Sequence, residues 1–267
     1  MNLIPANIKN LILDMDGVLW KDSLQIGNLS KIFSKIQDSG FGIIMATNNS
    51  TQTPDQFTAK LKDFGVTIEP WQVVTSSQAV VELMLDALPP GAPVFAIGEK
   101  GLQDAILSAG FKLSTVDQAE KAEALVMGID REINFRKVME GTLLVRGGKP
   151  FFATNTDLTF PTPRGLIPGA GSWISVIVSA TNVEPINAGK PAPYLFELGM
   201  KRLHASRENT LVVGDRLETD IAGGQAIGCM TALILSGVSS LAQAQAWRPR
   251  VDVIARDLAE LVGVSPE

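Results

Sequence analysis

The run Leu11-Ile12-Leu13 stops abruptly at Asp14-Met15-Asp16, and that junction limits what the chain can fold into more than any other feature. Three apolar residues are too few for a helix and fit a strand buried on both faces. A second run, Gly42-Ile43-Ile44-Met45-Ala46, ends the same way in Thr47-Asn48-Asn49. Between the two, Ile32, Phe33 and Ile36 have helical spacing, and Gly40 stops that helix. Strand, helix and strand of these lengths make a β-α-β unit with a right-handed crossover and parallel strands. The spacing predicts an α/β fold built on a doubly wound parallel sheet of the Rossmann-like kind.

The rest of the chain repeats the pattern twice. Thr53-Pro54 opens a helix whose face is Phe57, Leu61 and Phe64, and a further helix over 77–88 stops at Pro89-Pro90. Strands are expected at 94–97, 124–127 and 151–153, with helices near 102–107 and 135–145 between them. The stretch 154–168 reads as a loop, followed by a tight entry into a helix at Ser172. A helix near 194–203, a strand at 211–213, a helix near 221–226 and a strand at 231–235 then resume the first style.

Ligands of open parallel sheets bind beyond the carboxyl ends of the strands, so the polar residues that end apolar runs are the first to inspect. Asp14 and Asp16 end one strand; Thr47, Asn48 and Asn49 end another; Gly214 and Asp215 end a third, with Asp220 shortly after. Residues two apart on an extended chain point to one side, so Asp14 and Asp16 face the same space. Like charges that close suit acid/base work or a cation. Adding Asp215 and Asp220 makes a hard, oxygen-rich site fit for Mg²⁺. Any one of these acids could be a turn former or helix cap; four of them, placed alike, with Thr-Asn-Asn and Gly189-Lys190-Pro191, call for a shared cause.

Asp14-Met15-Asp16-Gly17-Val18-Leu19-Trp20 resembles the first motif of the haloacid dehalogenase-like (HAD) hydrolases. Thr47-Asn48-Asn49 resembles the second motif, Lys190 the third, and Gly214-Asp215-Arg216 through Thr219-Asp220 the fourth, in the family's order. Ala153-Thr154-Asn155-Thr156-Asp157 with Gly165-Leu166-Ile167-Pro168-Gly169 is similar to the NagD-like, 4-nitrophenylphosphatase-like branch. Residues 17–46 leave no room for an extra domain, whereas residues 50–189 do. The expected organisation is a catalytic core of residues 1–79 and 184–267, interrupted by a smaller α/β cap domain of residues 80–183, with hinges near Ala79 and Val183.

The resemblance implies a Mg²⁺-dependent phosphatase of small phosphorylated metabolites. Asp14 would be the nucleophile that forms an aspartyl-phosphate and Asp16 the acid/base. The metal would be held by Asp14, the Asp16 backbone carbonyl, Asp215 and, through water, Asp220. Thr47, Asn48 and Lys190 would surround the phosphate, with Asn49 supporting that loop. In the cap, Phe160 and Arg164 are the candidates for substrate specificity, and Phe160 could equally anchor its loop internally. Trp20 reads as a packed indole. Two rivals remain at this stage: a phosphotransferase to an alcohol, and a binding protein with negligible turnover. A homodimer formed through the cap is a further expectation drawn from the branch.

Other classes lose ground on composition. The net charge of −5 offers no field for nucleic acid or an acidic membrane surface. The N-terminal ten residues have no basic head before an apolar segment, and no run reaches membrane-spanning length, so a cytoplasmic protein is expected. Cys229 is the only cysteine and His204 the only histidine, which leaves little material for a disulfide framework or histidine chemistry. Gly189-Lys190 lacks the partner glycine and the Ser or Thr of a P-loop, and Gly169-Ala170-Gly171 lacks the third glycine of a dinucleotide fingerprint.

Overall fold

A computed structural model describes residues 2–162 and 164–265 of the chain. Contacts divide it into two compact units. One comprises Met1–Thr47, Pro54–Val74 and Lys190–Glu267; the other comprises Asn48–Thr53 and Thr75–Gly189. Ala79 lies inside the helix Ser76–Ala87, and Val183 follows the helix Ala170–Thr181. The segment Asn48–Thr53 groups with the inserted unit.

The first unit is built on a six-stranded sheet, parallel from Val253–Ala255 through Gly42–Thr47. Its strands run, edge to edge, Val253–Ala255, Met230–Ile234, Thr210–Gly214, Asn10–Leu13, Gly42–Thr47 and Val73–Thr75. Asn10–Leu13 sits at the centre, in register with Thr210–Val213 on one side and Gly42–Met45 on the other. Leu11, Ile12, Leu13, Leu211 and Val213 are buried to within 1% of completely, as continuous apolar runs in a sheet covered on both faces should be. The helix Leu29–Asp38 begins where Asn28 accepts the Lys31 N–H, and it buries Leu29, Ile32, Phe33 and Ile36. Such a cap stabilises a helix by about 1 kcal/mol.

The inserted unit has its own five-stranded parallel sheet, in the order Ile186–Asn187, Phe151–Ala153, Ala124–Met127, Pro93–Ile97 and Lys112–Leu113. Phe95, Ile97, Leu125, Met127, Phe151 and Ile177 form its core. The helix Ser76–Ala87 starts on a capping box between Thr75 and Gln78, and Phe135–Arg146 starts on Asn134. The stretch expected as a loop contains an antiparallel hairpin, Thr159–Thr162 paired with Gly165–Pro168. Its prolines disguise it, because each removes a ladder donor from a two-stranded ribbon that can spare one. The following helix starts at Ala170, two residues before Ser172. The Gly171 N–H donates to the Asp157 carbonyl and the Ser172 hydroxyl to the Leu158 carbonyl.

Among the described residues no helix is long and apolar enough to cross a membrane.

Candidate active site

Three segments of the first unit bring their polar ends together at the carboxyl ends of its central strands. Asp14 follows Leu13, Asp215 follows Gly214, and Asp220 sits in the π-helical turn Leu217–Ile221. One oxygen of each of these three acids lies within 4.8 Å of the others. Lys190 runs into the group and donates to Asp14 Oδ1 at 2.5 Å, Asp220 Oδ1 at 2.6 Å and the Ala46 carbonyl at 2.8 Å. The Lys190 side chain is 3% exposed, that of Asp14 11% and that of Asp220 3%, so these charges meet where water screens them little.

The loops are shaped to leave room for the carboxylates. Gly17 has φ +83° and stands so close to the Asp215 side chain that a Cβ there would collide with it. Gly237 approaches the same carboxylate, which then accepts the Val238 N–H at 2.8 Å. Asp220 is oriented in turn, its Oδ2 accepting the Arg216 N–H at 3.2 Å.

One ammonium faces three acids, Asp215 and Asp220 buried and Asp14 half-buried. Burial opposes the charge on Lys190, but Asp14 and Asp220 more than offset it, and its pKa is raised. Burial lifts the Asp14 carboxyl well above the usual range despite Lys190, with Asp220 and Asp215 adding to the rise. Asp215 is pushed up to about 6, first by burial and then by Asp220. A buried donor set of hard carboxylate oxygens whose charge is under-compensated fits a divalent cation.

The Asp16 carboxylate is not one of this triad. Its residue is exposed, and Oδ1 accepts the Trp20 indole N–H at 2.9 Å. Thr47 ends its strand buried in the same unit. Asn48 and Asn49 belong by contact to the inserted unit. There the Asn48 carbonyl accepts from Ser76 at 2.7 Å and from Asn155 at 2.9 Å, and its amide donates to Asp157. Asn49 Oδ1 accepts the Thr51 N–H and hydroxyl. The Thr-Asn-Thr-Asp segment therefore holds the 48–53 loop. Phe160 lines a concavity of about 230 Å³ in the inserted unit with Ile129, Ile133, Ile167 and Trp173. Arg164 is exposed and is not among the residues lining it. His204 is exposed and ends its helix with φ 50°, and Cys229 is buried with its thiol pushed up to about 11 by burial.

Two features of the site carried no sequence signal that could be read. The Ala46 carbonyl that anchors Lys190 is backbone, invisible in residue type. The loop carrying Gly237 and Val238 announces itself only through a glycine soon after the strand Met230–Ile234.

A parallel α/β sheet whose strand ends gather three acids around one lysine offers hard oxygen ligands to a cation and a positive charge to an anionic group. Residues 11–112 match the model of the haloacid dehalogenase-like hydrolases and residues 187–261 that of HAD-hydrolase-like proteins. The 5'-nucleotidase YutF of Bacillus subtilis is 36% identical over 231 residues, which is 86% of this chain and 88% of the relative. A glycerol phosphate phosphatase from Mycobacterium tuberculosis, solved in complex with magnesium, superposes with a TM-score of 0.89 at 32% identity, covering 96% of this chain and 76% of that one. NagD from E. coli K-12 superposes with a TM-score of 0.87 at 29% identity, covering 95% and 98%. The chain belongs to the haloacid dehalogenase-like hydrolase family, in its NagD-like branch, and is an enzyme of the HAD phosphatase class.

Proposed function

We propose that the enzyme hydrolyses a small phosphorylated metabolite in two steps, with Asp14 as nucleophile. The observation that carries this is the Lys190 bridge between Asp14 and Asp220, with Asp215 alongside. Lys190 engages Asp14 Oδ1, which leaves Oδ2 to attack phosphorus and form an aspartyl-phosphate. Asp16 protonates the departing oxygen, then takes a proton from the water that hydrolyses the intermediate. Inorganic phosphate leaves and the Asp14 carboxylate is restored. Lys190 and the Thr47 hydroxyl meet the phosphate oxygens, where charge gathers as the bond to the leaving group breaks.

The Asp14, Asp215 and Asp220 carboxylates, with the Asp16 backbone carbonyl, would hold Mg²⁺, which when bound would lower the repulsion between two anions. Relatives named as acting on nucleotides and glycerol phosphate support a soluble monoester as substrate. The concavity beside Phe160 supports a part for the inserted unit in choosing among them.

The test is acid quenching during turnover of a radiolabelled monoester. An alkali-labile phosphoprotein should be trapped on Asp14 and should vanish in Asp14→Asn, whose fold and magnesium-free stability remain measurable. Label on another residue, or full turnover by Asp14→Asn, overturns the covalent scheme.

A further inference from the structure

Trp20 is fully buried, yet its one polar atom reaches the exposed Asp16. A buried indole needs an acceptor wherever it lies, so the identity of the acceptor is what matters. Here it is the carboxylate two residues after Asp14. The indole is itself held by its neighbours. Its backbone closes a turn in which the N–H groups of Val18, Leu19 and Trp20 converge on the Met15 carbonyl, and the Trp20 carbonyl accepts the Gly17 N–H at 2.7 Å. Its ring packs against Phe64 with centroids 6.2 Å apart. Lys60 places Nζ 3.9 Å from the ring centroid and donates to the Asp22 carbonyl. A cation over the ring draws electron density from the π system, which polarises the N–H and strengthens its donation.

We propose that Trp20, backed by Lys60, is the positioning residue for Asp16: the indole N–H pins Oδ1 so that Oδ2 is the oxygen that delivers and recovers the proton. This rests on the acid/base role proposed above. An indole N–H donates and never accepts, so it can serve Oδ1 in both states of the cycle. In the acid, Oδ1 is the carbonyl oxygen and Oδ2 bears the hydrogen. When the ester oxygen leaves, that hydrogen passes to it and Asp16 becomes a carboxylate. When water attacks the aspartyl-phosphate, its proton returns to Oδ2. The contact with Trp20 persists throughout, and no other reactant is required.

Leaving-group dependence tests the assignment, because a good leaving group needs little protonation and an alkyl oxide needs much. Trp20→Phe keeps an aromatic ring and removes the N–H. It should lower kcat/KM, which reports only the steps up to loss of the leaving group, on an alkyl phosphate such as glycerol 3-phosphate by roughly ten-fold or more while changing kcat/KM on 4-nitrophenyl phosphate by less than about three-fold. Asp16→Asn should show the same selectivity more strongly, and Trp20→Phe added to it should cost nothing further on the alkyl ester. Equal losses on both substrates, or no loss on either, overturn the proposal. Should Trp20→Phe fail to fold, Lys60→Met keeps the indole and carries the test, with a few-fold loss confined to the alkyl ester expected and the absence of that selectivity overturning it. If Asp16→Asn itself lacks the selectivity, the acid/base reading falls and the role of Trp20 falls with it, whereas selectivity in Asp16→Asn without it in Trp20→Phe overturns the role of Trp20 alone.

Discussion

Lys190 shows what one residue does for a site it shares with three acids. Its ammonium is the only positive charge in direct hydrogen-bond contact with both Asp14 and Asp220 among the described residues. Removing one partner of a buried ion pair leaves the other charge without compensation, at a cost of about 3 to 5 kcal/mol. Lys190→Met should therefore lose both activity and metal-free stability, with urea unfolding at neutral pH shifted by at least about 3 kcal/mol. A variant as stable as the parent would mean that the acids protonate freely and that the amine does not hold the pocket together. The candidates at this scale were legible because each acid, and the lysine, stands where an apolar run or a helix meets its loop. Trp20 was not. Its sequence context offers a packed indole, and that the indole N–H reaches Asp16 is set by the fold of an irregular turn, where side-chain direction has no period to read.

Turns, more than strands, decide whether the acids can converge. The central strand ends at Leu13 and the chain reverses within residues 15–20 before the short hairpin of Trp20–Lys21 and Leu24–Gln25. Gly17 makes the reversal possible: its φ of +83° is strained for any other residue, and the Asp215 side chain fills the space a Cβ would need. Gly17→Ala should cost about 1 to 3 kcal/mol of stability and reduce kcat, because Asp215 must move to admit the methyl group. Calorimetry and kinetics on the same preparation check this, and an alanine variant with unchanged kcat would show that Asp215 can shift without consequence. Long apolar runs and helices with a clear face were legible from periodicity. The hairpin over 159–168 and the two-residue strands were not, since two to four residues carry no period, and Leu166 and Ile167 are exposed despite being apolar. The π-helical turn that places Asp220 was also beyond reach, because an extra residue per turn leaves no compositional trace.

At the scale of the whole molecule, the charge stored in the site couples folding to pH and would couple it to a bound cation. An acid whose folded pKa lies above its unfolded value is a liability once it ionises. For Asp215 the two values are about 6 and 3.8, and Asp14 is shifted in the same direction. Below the unfolded pKa both states are protonated and nothing is lost. As pH rises from there through about 6, the folded state holds on to protons that the unfolded state has released, and stability falls. Above that range Asp215 alone disfavours the metal-free fold by on the order of 3 kcal/mol. A divalent cation bound to the ionised acids would reverse this penalty, and its stabilising effect would then grow with pH. Saturating Mg²⁺ should raise Tm substantially near pH 7.5 and little near pH 4.5, where binding must first displace protons. Titration calorimetry in buffers of different ionisation enthalpy should then show proton release that declines as pH passes above about 6. A Tm increase of the same size at both pH values would mean that the cation acts elsewhere, and that the acids around Lys190 are not what it binds.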